Sequence, residues 1–151
     1  MNKMIVSRVA IVGKLGSTLD GEGFISRLWE DANGHFHEVA NLALRDENGN
    51  LCGIWGAMSD LSGSYDPWTQ DFSCGLYLAG VQCDPQAQVP DGWTKWCLPD
   101  MECVCIPAGE GAFTKGLHLL EEEGLSLVAA VQECTNPKTG DTSLLFPIKK
   151  M

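Results

Sequence analysis

Glu133 closes an alternating apolar run, Leu127, Ala129, Val131, Glu133, within the segment Ser126–Cys134. In a strand these four side chains share one face, because successive residues point to opposite sides. An unpaired carboxylate on an apolar face costs several kcal/mol to bury. A cation held against it offsets that cost, and the attraction is strong where water is excluded. The competing reading leaves Glu133 in water at the frayed end of the strand, where most glutamates are found. The second chemical resource is aromatic: five Trp, five Phe and two Tyr in 151 residues. Trp55 and Tyr77 fall on the two strands of a predicted hairpin. Rings that face a groove hold a cation through their π faces, at about 0.5–2 kcal/mol each. Trp29 and Phe36 lie on the first predicted helix, and Trp93 and Trp96 flank the start of the second half of the chain. Each of these rings can equally be core packing. Trp68, beside Pro67 in a polar loop, is either a lid or part of a small satellite cluster.

Other chemistries find less support. His35 and His37 are spaced i, i+2 on the first helix and point to different sides, so they make poor joint ligands. No Cys or His pair has the spacing of a zinc site, and no metal or cofactor is expected. Cys103 and Cys105, in the run CVCIPA, share one strand face and read as packing residues rather than a redox pair. Gly21-Glu22-Gly23 lacks the strand-and-helix context of a phosphate loop. No catalytic set is evident.

The elements that would position these residues follow from periodicity. Val6–Leu15 alternates as a first strand. Phe24–Leu44 carries apolar residues at helical spacing, with Asn33-Gly34 as a point of interruption. Cys52–Asp60 and Phe72–Cys83 read as strands, the second apolar on both faces and so covered on both or lining a groove. Asp84–Gly92 is a connector. Glu102–Pro107 reads as a strand and Phe113–Leu125 as a short helix whose Glu121, Glu122 and Glu123 form a solvated face. Ser126–Cys134 and Thr142–Ile148 close as a hairpin. The order strand, helix, strand, strand thus occurs twice, over about residues 5–83 and 93–149. The expectation is a single α+β domain, 1–151, with one curved antiparallel sheet and both helices on one face. A groove at the pseudo-twofold between the halves is a natural small-molecule site.

Twenty acidic against ten basic side chains give a net charge of −10. That balance repels phosphate backbones and acidic membranes and draws cations, or it serves only solubility. Direct nucleic-acid binding and membrane insertion are therefore not expected. Seven cysteines without a cleavable leader point to reduced thiols and a cytoplasmic location.

The ordered passages GIWGAMSD (53–60), GLYLAGVQC (75–83), VPDGW (89–93), CIPAGEGA (105–112) and TSLLFPIKK (142–150) resemble the GyrI-like small-molecule-binding family. This family includes effector-binding domains of AraC- and MerR-type bacterial multidrug regulators and stand-alone proteins. The resemblance implies two repeats in one sheet and a groove that takes lipophilic, often cationic, compounds. It also implies rings stacked on the ligand and a buried carboxylate, carried over here to Glu133. Two features depart from the pattern. The second helix, AFTKGLHLLEEEGL, is short, and AAVQECTNP replaces the usual aromatic–Glu–x–Tyr strand, so that strand's tyrosine has no counterpart. The sequence carries no helix-turn-helix segment. A stand-alone drug sensor, carrier or sequestering protein is the leading expectation. Some relatives point instead to hydrolysis of reactive electrophiles by paired carboxylates, for which Glu102 and Glu30 are the only candidate partners of Glu133. Others point to modulation of DNA gyrase by protein contact, and a haem-binding relative leaves haem as a distant alternative.

Overall fold

The computed structural model describes residues 1–151. Eight strands form one antiparallel sheet: β1 (Lys3–Val6), β2 (Ala10–Ser17), β3 (Ile54–Ser59), β4 (Leu76–Cys83), β5 (Thr94–Cys97), β6 (Met101–Pro107), β7 (Gln132–Thr135) and β8 (Thr142–Lys150). Two α-helices, α1 (Phe24–Gly34) and α3 (Ala112–Glu122), accompany them, with a short turn α2 (Thr69–Phe72) whose backbone is not regular helix. The strand order is β1-β6-β8-β7-β3-β4-β2-β5. Its centre is the antiparallel pairing of β3 with β7, so β6-β8-β7 mirrors β2-β4-β3 about a pseudo-twofold axis.

The duplication is written most plainly at the helix starts. Gly21-Glu22-Gly23 precedes α1 and Gly109-Glu110-Gly111 precedes α3. Gly23 (φ 76°, ψ 9°) and Gly111 (φ 74°, ψ 1°) both cap their helices in the left-handed region, where a side chain would be strained. The Gly21–Gly23 motif is therefore a helix-entry turn.

The outermost strands exchange halves. Lys3–Val6 pairs with β6 of the second half, and Thr94–Cys97 pairs with β2 of the first. The continuous first strand expected over Val6–Leu15 is broken at Ser7–Val9, where Arg8 has φ 54°. Trp93 and Trp96 likewise belong beside the first half rather than at the start of the second. This exchange forces the sheet to curl. Five strands separate β1 from β2, so a flat sheet would hold them about 29 Å apart at about 4.8 Å per spacing. The Ser7–Val9 connection spans at most about 14 Å from Val6 to Ala10. Leu98–Asp100 makes the equivalent short crossing from β5 to β6.

Inside the curl lies one core drawn from both halves, including Val6, Ile11, Trp55, Leu78, Met101, Cys103 and Leu145. Cys105 packs against the same cluster as Cys103, as i, i+2 strand positions should. The opposite face is divided. α1 covers Ala10, Val12 and Val81 with Ala32, while α3 covers Val104, Leu144 and Phe146 with Leu120. Nothing continuous joins these two clusters, and the gap between them is the groove.

Several elements are shorter than their periodicity suggested, α1, β7 and β4 most of all. α1 ends at Gly34 and gives way to a 3-10 turn at Phe36–Glu38, in keeping with the Asn33-Gly34 interruption. β7 begins only at Gln132, and β4 only at Leu76, because the residues before them run as loops with backbone partners elsewhere, such as Ala130 N–H to Tyr65 O and Val128 N–H to Pro147 O. No helix is long and apolar enough to cross a membrane.

Candidate ligand-binding site

Register alone dictates which side chains meet in the groove. Met58 pairs with Tyr77, and Gly56 pairs with Glu133, so these four residues share the helix-bearing face. The Tyr77 hydroxyl donates to Glu133 Oε1 at 2.8 Å. From α1, the Trp29 indole N–H donates to the same hydroxyl oxygen at 3.2 Å, with the two rings edge to face at 6.5 Å. The chain Trp29–Tyr77–Glu133 therefore ties the first helix to the second half's strand. It engages one carboxylate oxygen and leaves Oε2 without a protein hydrogen bond.

Gly56 makes this contact possible. A Cβ there would overlap the Tyr77 hydroxyl and stand 2.7 Å from Glu133 Oε1. Tyr77 is 1% exposed, and its phenol pKa is driven well above the ordinary value, first by burial and then by the neighbouring Glu133 charge. The hydroxyl therefore keeps its proton, and remains a donor, through neutral pH and past the ordinary phenol value.

Around Glu133 the groove widens into a cleft of about 560 Å³. Trp29 and Asn33 of α1, Ile54 of β3, Thr135 of β7 and Thr142 of β8 are among the residues on its walls. Glu133 is the one ionisable side chain on that lining. At its polar end the hydroxyls of Thr135 and Thr142 lie 2.7 Å apart. On the far side of the Tyr77–Glu133 contact, Ile25, Met58, Phe72, Phe113 and Val131 enclose an apolar compartment of about 250 Å³.

Of the residues picked out in the sequence, Glu133, Tyr77 and Trp29 are brought together. Phe36 and Trp93 line a separate cavity of about 110 Å³ beneath α1, which shares Trp29, Asn33 and Ile54 with the cleft. Trp93 is fixed there by its indole N–H on Glu38 Oε1 (2.8 Å) and by Lys14 Nζ, 4.3 Å from its ring centroid. That hydrogen bond is the main reason the Glu38 carboxyl titrates below its ordinary value.

Trp55 and Trp96 lie on the other face of the sheet. Trp55 is odd-spaced from Met58 on the same strand, so it must point away from Tyr77; its indole N–H meets Gln82 Oε1 at 3.1 Å inside the curl. Trp96 packs edge-on against Tyr65 at 5.6 Å, against the same core. Neither ring is available to a ligand in the groove.

The periodicity reading passed over Gln132. It is fully buried, and its amide brackets Met58, accepting from Met58 N–H (2.8 Å) and donating to Met58 C=O (3.0 Å) and Ala130 C=O (3.2 Å). The side chain thereby extends the β3–β7 ladder beyond the end of its backbone pairing. The sequence signal is the polar Gln-Glu pair that ends an apolar run.

No protein-family profile matches the chain, and no curated protein matches it in sequence. Solved structures do. SAV2435, in a structure bound to tetraphenylphosphonium, is 18% identical over 99% of this chain and 94% of its own, with a TM-score of 0.58. A candidate bacterial transcription regulation protein from Staphylococcus aureus MU50 is 14% identical, covering 98% of this chain and 97% of its own, with a TM-score of 0.62. An integron cassette protein from the mobile metagenome of Vibrio cholerae is 13% identical, covering 98% and 95%, with a TM-score of 0.56. At these identities the likeness is one of fold, a curved antiparallel half-barrel sheet with helices, spanning nearly the whole of each chain.

Proposed function

We propose that this chain is a GyrI-like small-molecule-binding protein whose groove takes a lipophilic cation, with Glu133 as the counter-charge. The observation that carries this reading is the state of Glu133. One oxygen is engaged by a buried tyrosine, the other is free, and no basic side chain lies on the cleft lining to neutralise it. A half-buried carboxylate with one oxygen open to the cleft can pair with an incoming cation more strongly than it could in bulk water. The Trp29 ring and the Ile54 side chain on the cleft walls favour a cation whose charge is wrapped in hydrocarbon over a hydrated metal ion. The lipophilic cation held by the structural neighbour SAV2435 is of this chemical class.

The lining speaks for binding over two-carboxylate hydrolysis. Glu30 is exposed on α1, and Glu102 lies at a bulge in β6 with β8 between it and β7. Neither joins Glu133 on the cleft walls. Sequestration, transport or sensing in the cytoplasm accords with seven free thiols and a net charge of −10.

The test is tetraphenylphosphonium titrated into wild-type and Glu133→Gln protein, beside neutral triphenylphosphine oxide. Loss of the charge should weaken the cation by about tenfold or more and leave the neutral compound nearly unchanged. Equal cation affinity in the two proteins would refute Glu133 as counter-charge.

A further inference from the structure

We propose that the apolar compartment beneath the Pro67–Phe72 segment is a ring pocket, which makes the preferred ligand an amphiphile with a cationic centre and a flat aromatic arm one or two rings wide. The inference rests on the reading of Glu133 above for the cation and on separate residues for the arm.

The compartment lies close to the carboxylate, next along the groove from the cleft that Glu133 lines. Val131, on its wall, precedes Glu133 by two residues, a separation of about 7 Å along extended chain. Met58, on another wall, is the cross-strand partner of Tyr77, which holds Glu133. The compartment also offers a guest no hydrogen bond. Its one N–H group, Trp68 Nε1, is already spent on the Leu76 carbonyl at 3.0 Å. Water gains little in such a space, whereas an apolar cavity of about 150 Å³ takes a benzene ring. At about 250 Å³ this one has room for two fused rings.

The roof is built for the purpose and held against local preference. Gln70, Asp71 and Phe72 have φ of 50°, 57° and 62°, three consecutive non-glycine residues in the left-handed region. Such strain persists only where packing over-determines it. Two contacts do so here. Phe72 meets Phe113 of α3 edge to face at 5.0 Å, and the Trp68 indole lies so close over Gly75 that a Cβ there would overlap it. The loop of the first half is thereby laid across the groove onto the helix of the second.

Three probes separate the parts: (2-naphthylmethyl)trimethylammonium, its neutral isostere with carbon in place of nitrogen, and tetramethylammonium. Calorimetric titration of the wild-type protein should show the naphthyl cation binding about 30-fold tighter than tetramethylammonium. Ile25→Trp, which fills the compartment from the half-buried face of α1, should abolish that advantage for both naphthyl probes and leave tetramethylammonium unchanged. Phe72→Ala, which removes the roof, should cut naphthyl binding about tenfold and serves if Ile25→Trp does not fold. The ring pocket is overturned if neither naphthyl probe binds, if ring-bearing and ring-free cations bind alike, or if the advantage survives both substitutions. Failure of the cation reading looks different: the naphthyl cation and its neutral isostere bind equally, and Glu133→Gln changes neither.

Discussion

Tyr77 and Glu133 lie 56 residues apart in the chain and meet through one hydrogen bond of 2.8 Å that passes over Gly56. They stand on β4 and β7, with β3 between them, so the bond crosses the seam where the two halves of the sheet join. The site exists because three adjacent strands present a tyrosine, a glycine and a glutamate at one level.

Tyr77→Phe keeps the ring and deletes the hydroxyl. Trp29 Nε1 and Glu133 Oε1 both lose their partner. The variant should lose about 1–3 kcal/mol of unfolding free energy, read by urea denaturation. Because the Glu133 charge remains, cation affinity should fall less than in Glu133→Gln, and a fall as large in both would assign the tyrosine a direct role in holding ligand.

Gly56→Ala tests the space rather than the chemistry. The added methyl must displace both the Tyr77 hydroxyl and Glu133 Oε1. Overpacking of this kind costs about 1–3 kcal/mol, or about 2–10 °C in melting temperature for a chain of this length. An unchanged melting curve would show that Tyr77 and Glu133 move apart freely.

Gln132→Leu is close in volume but lacks the amide. Met58 N–H, Met58 C=O and Ala130 C=O are left without this partner beside the central β3–β7 seam. The expected loss is about 2–4 kcal/mol by chemical denaturation, larger than that of Tyr77→Phe, since three backbone groups are orphaned. A loss below that of Tyr77→Phe would mean that water replaces the amide.

The chain has two tyrosines, and both are raised above the ordinary phenol pKa, chiefly by burial. A raised folded-state pKa means that the folded protein holds the proton more tightly than the unfolded chain. The associated stability is fully present below the unfolded value, about pH 10, and is lost as pH rises from there through the folded pKa. Absorbance at alkaline pH should therefore show little tyrosinate where free tyrosine is half ionised, followed by a cooperative rise as the protein unfolds. A gradual titration centred on the free value would place both hydroxyls in water.

Much of this architecture is legible in local pattern. The apolar residues of β4 alternate with period two through Tyr77, Ala79 and Val81, and those of α1 return at helical spacing until Asn33-Gly34 ends it. Glu133 stands out for the same local reason, a charge ending an apolar stripe. What local pattern does not carry is the face. In GIWGAMSD, Trp55 and Met58 are both large and apolar, and a strand covered on both sides gives no sign of which one meets the helices. Local pattern therefore points Trp55 to the groove as readily as to the core, and the folded sheet puts it in the core within the curl.

Pairing partners are likewise a property of the folded whole. Lys3–Val6 and Thr94–Cys97 are plausible strands wherever they are placed, and only closure of the curved sheet sends each to the opposite half. The sequence by itself determined the duplicated order of elements and the acidic residue at the end of a hydrophobic run, because each depends on neighbours a few positions away. Tertiary structure alone decided that Tyr77 would reach Glu133, that Gln132 would brace Met58 and that Phe72 would cross to Phe113. Those contacts join residues 41 to 74 positions apart. They depend on strand order and register, which are set by the packing of both sheet faces at once.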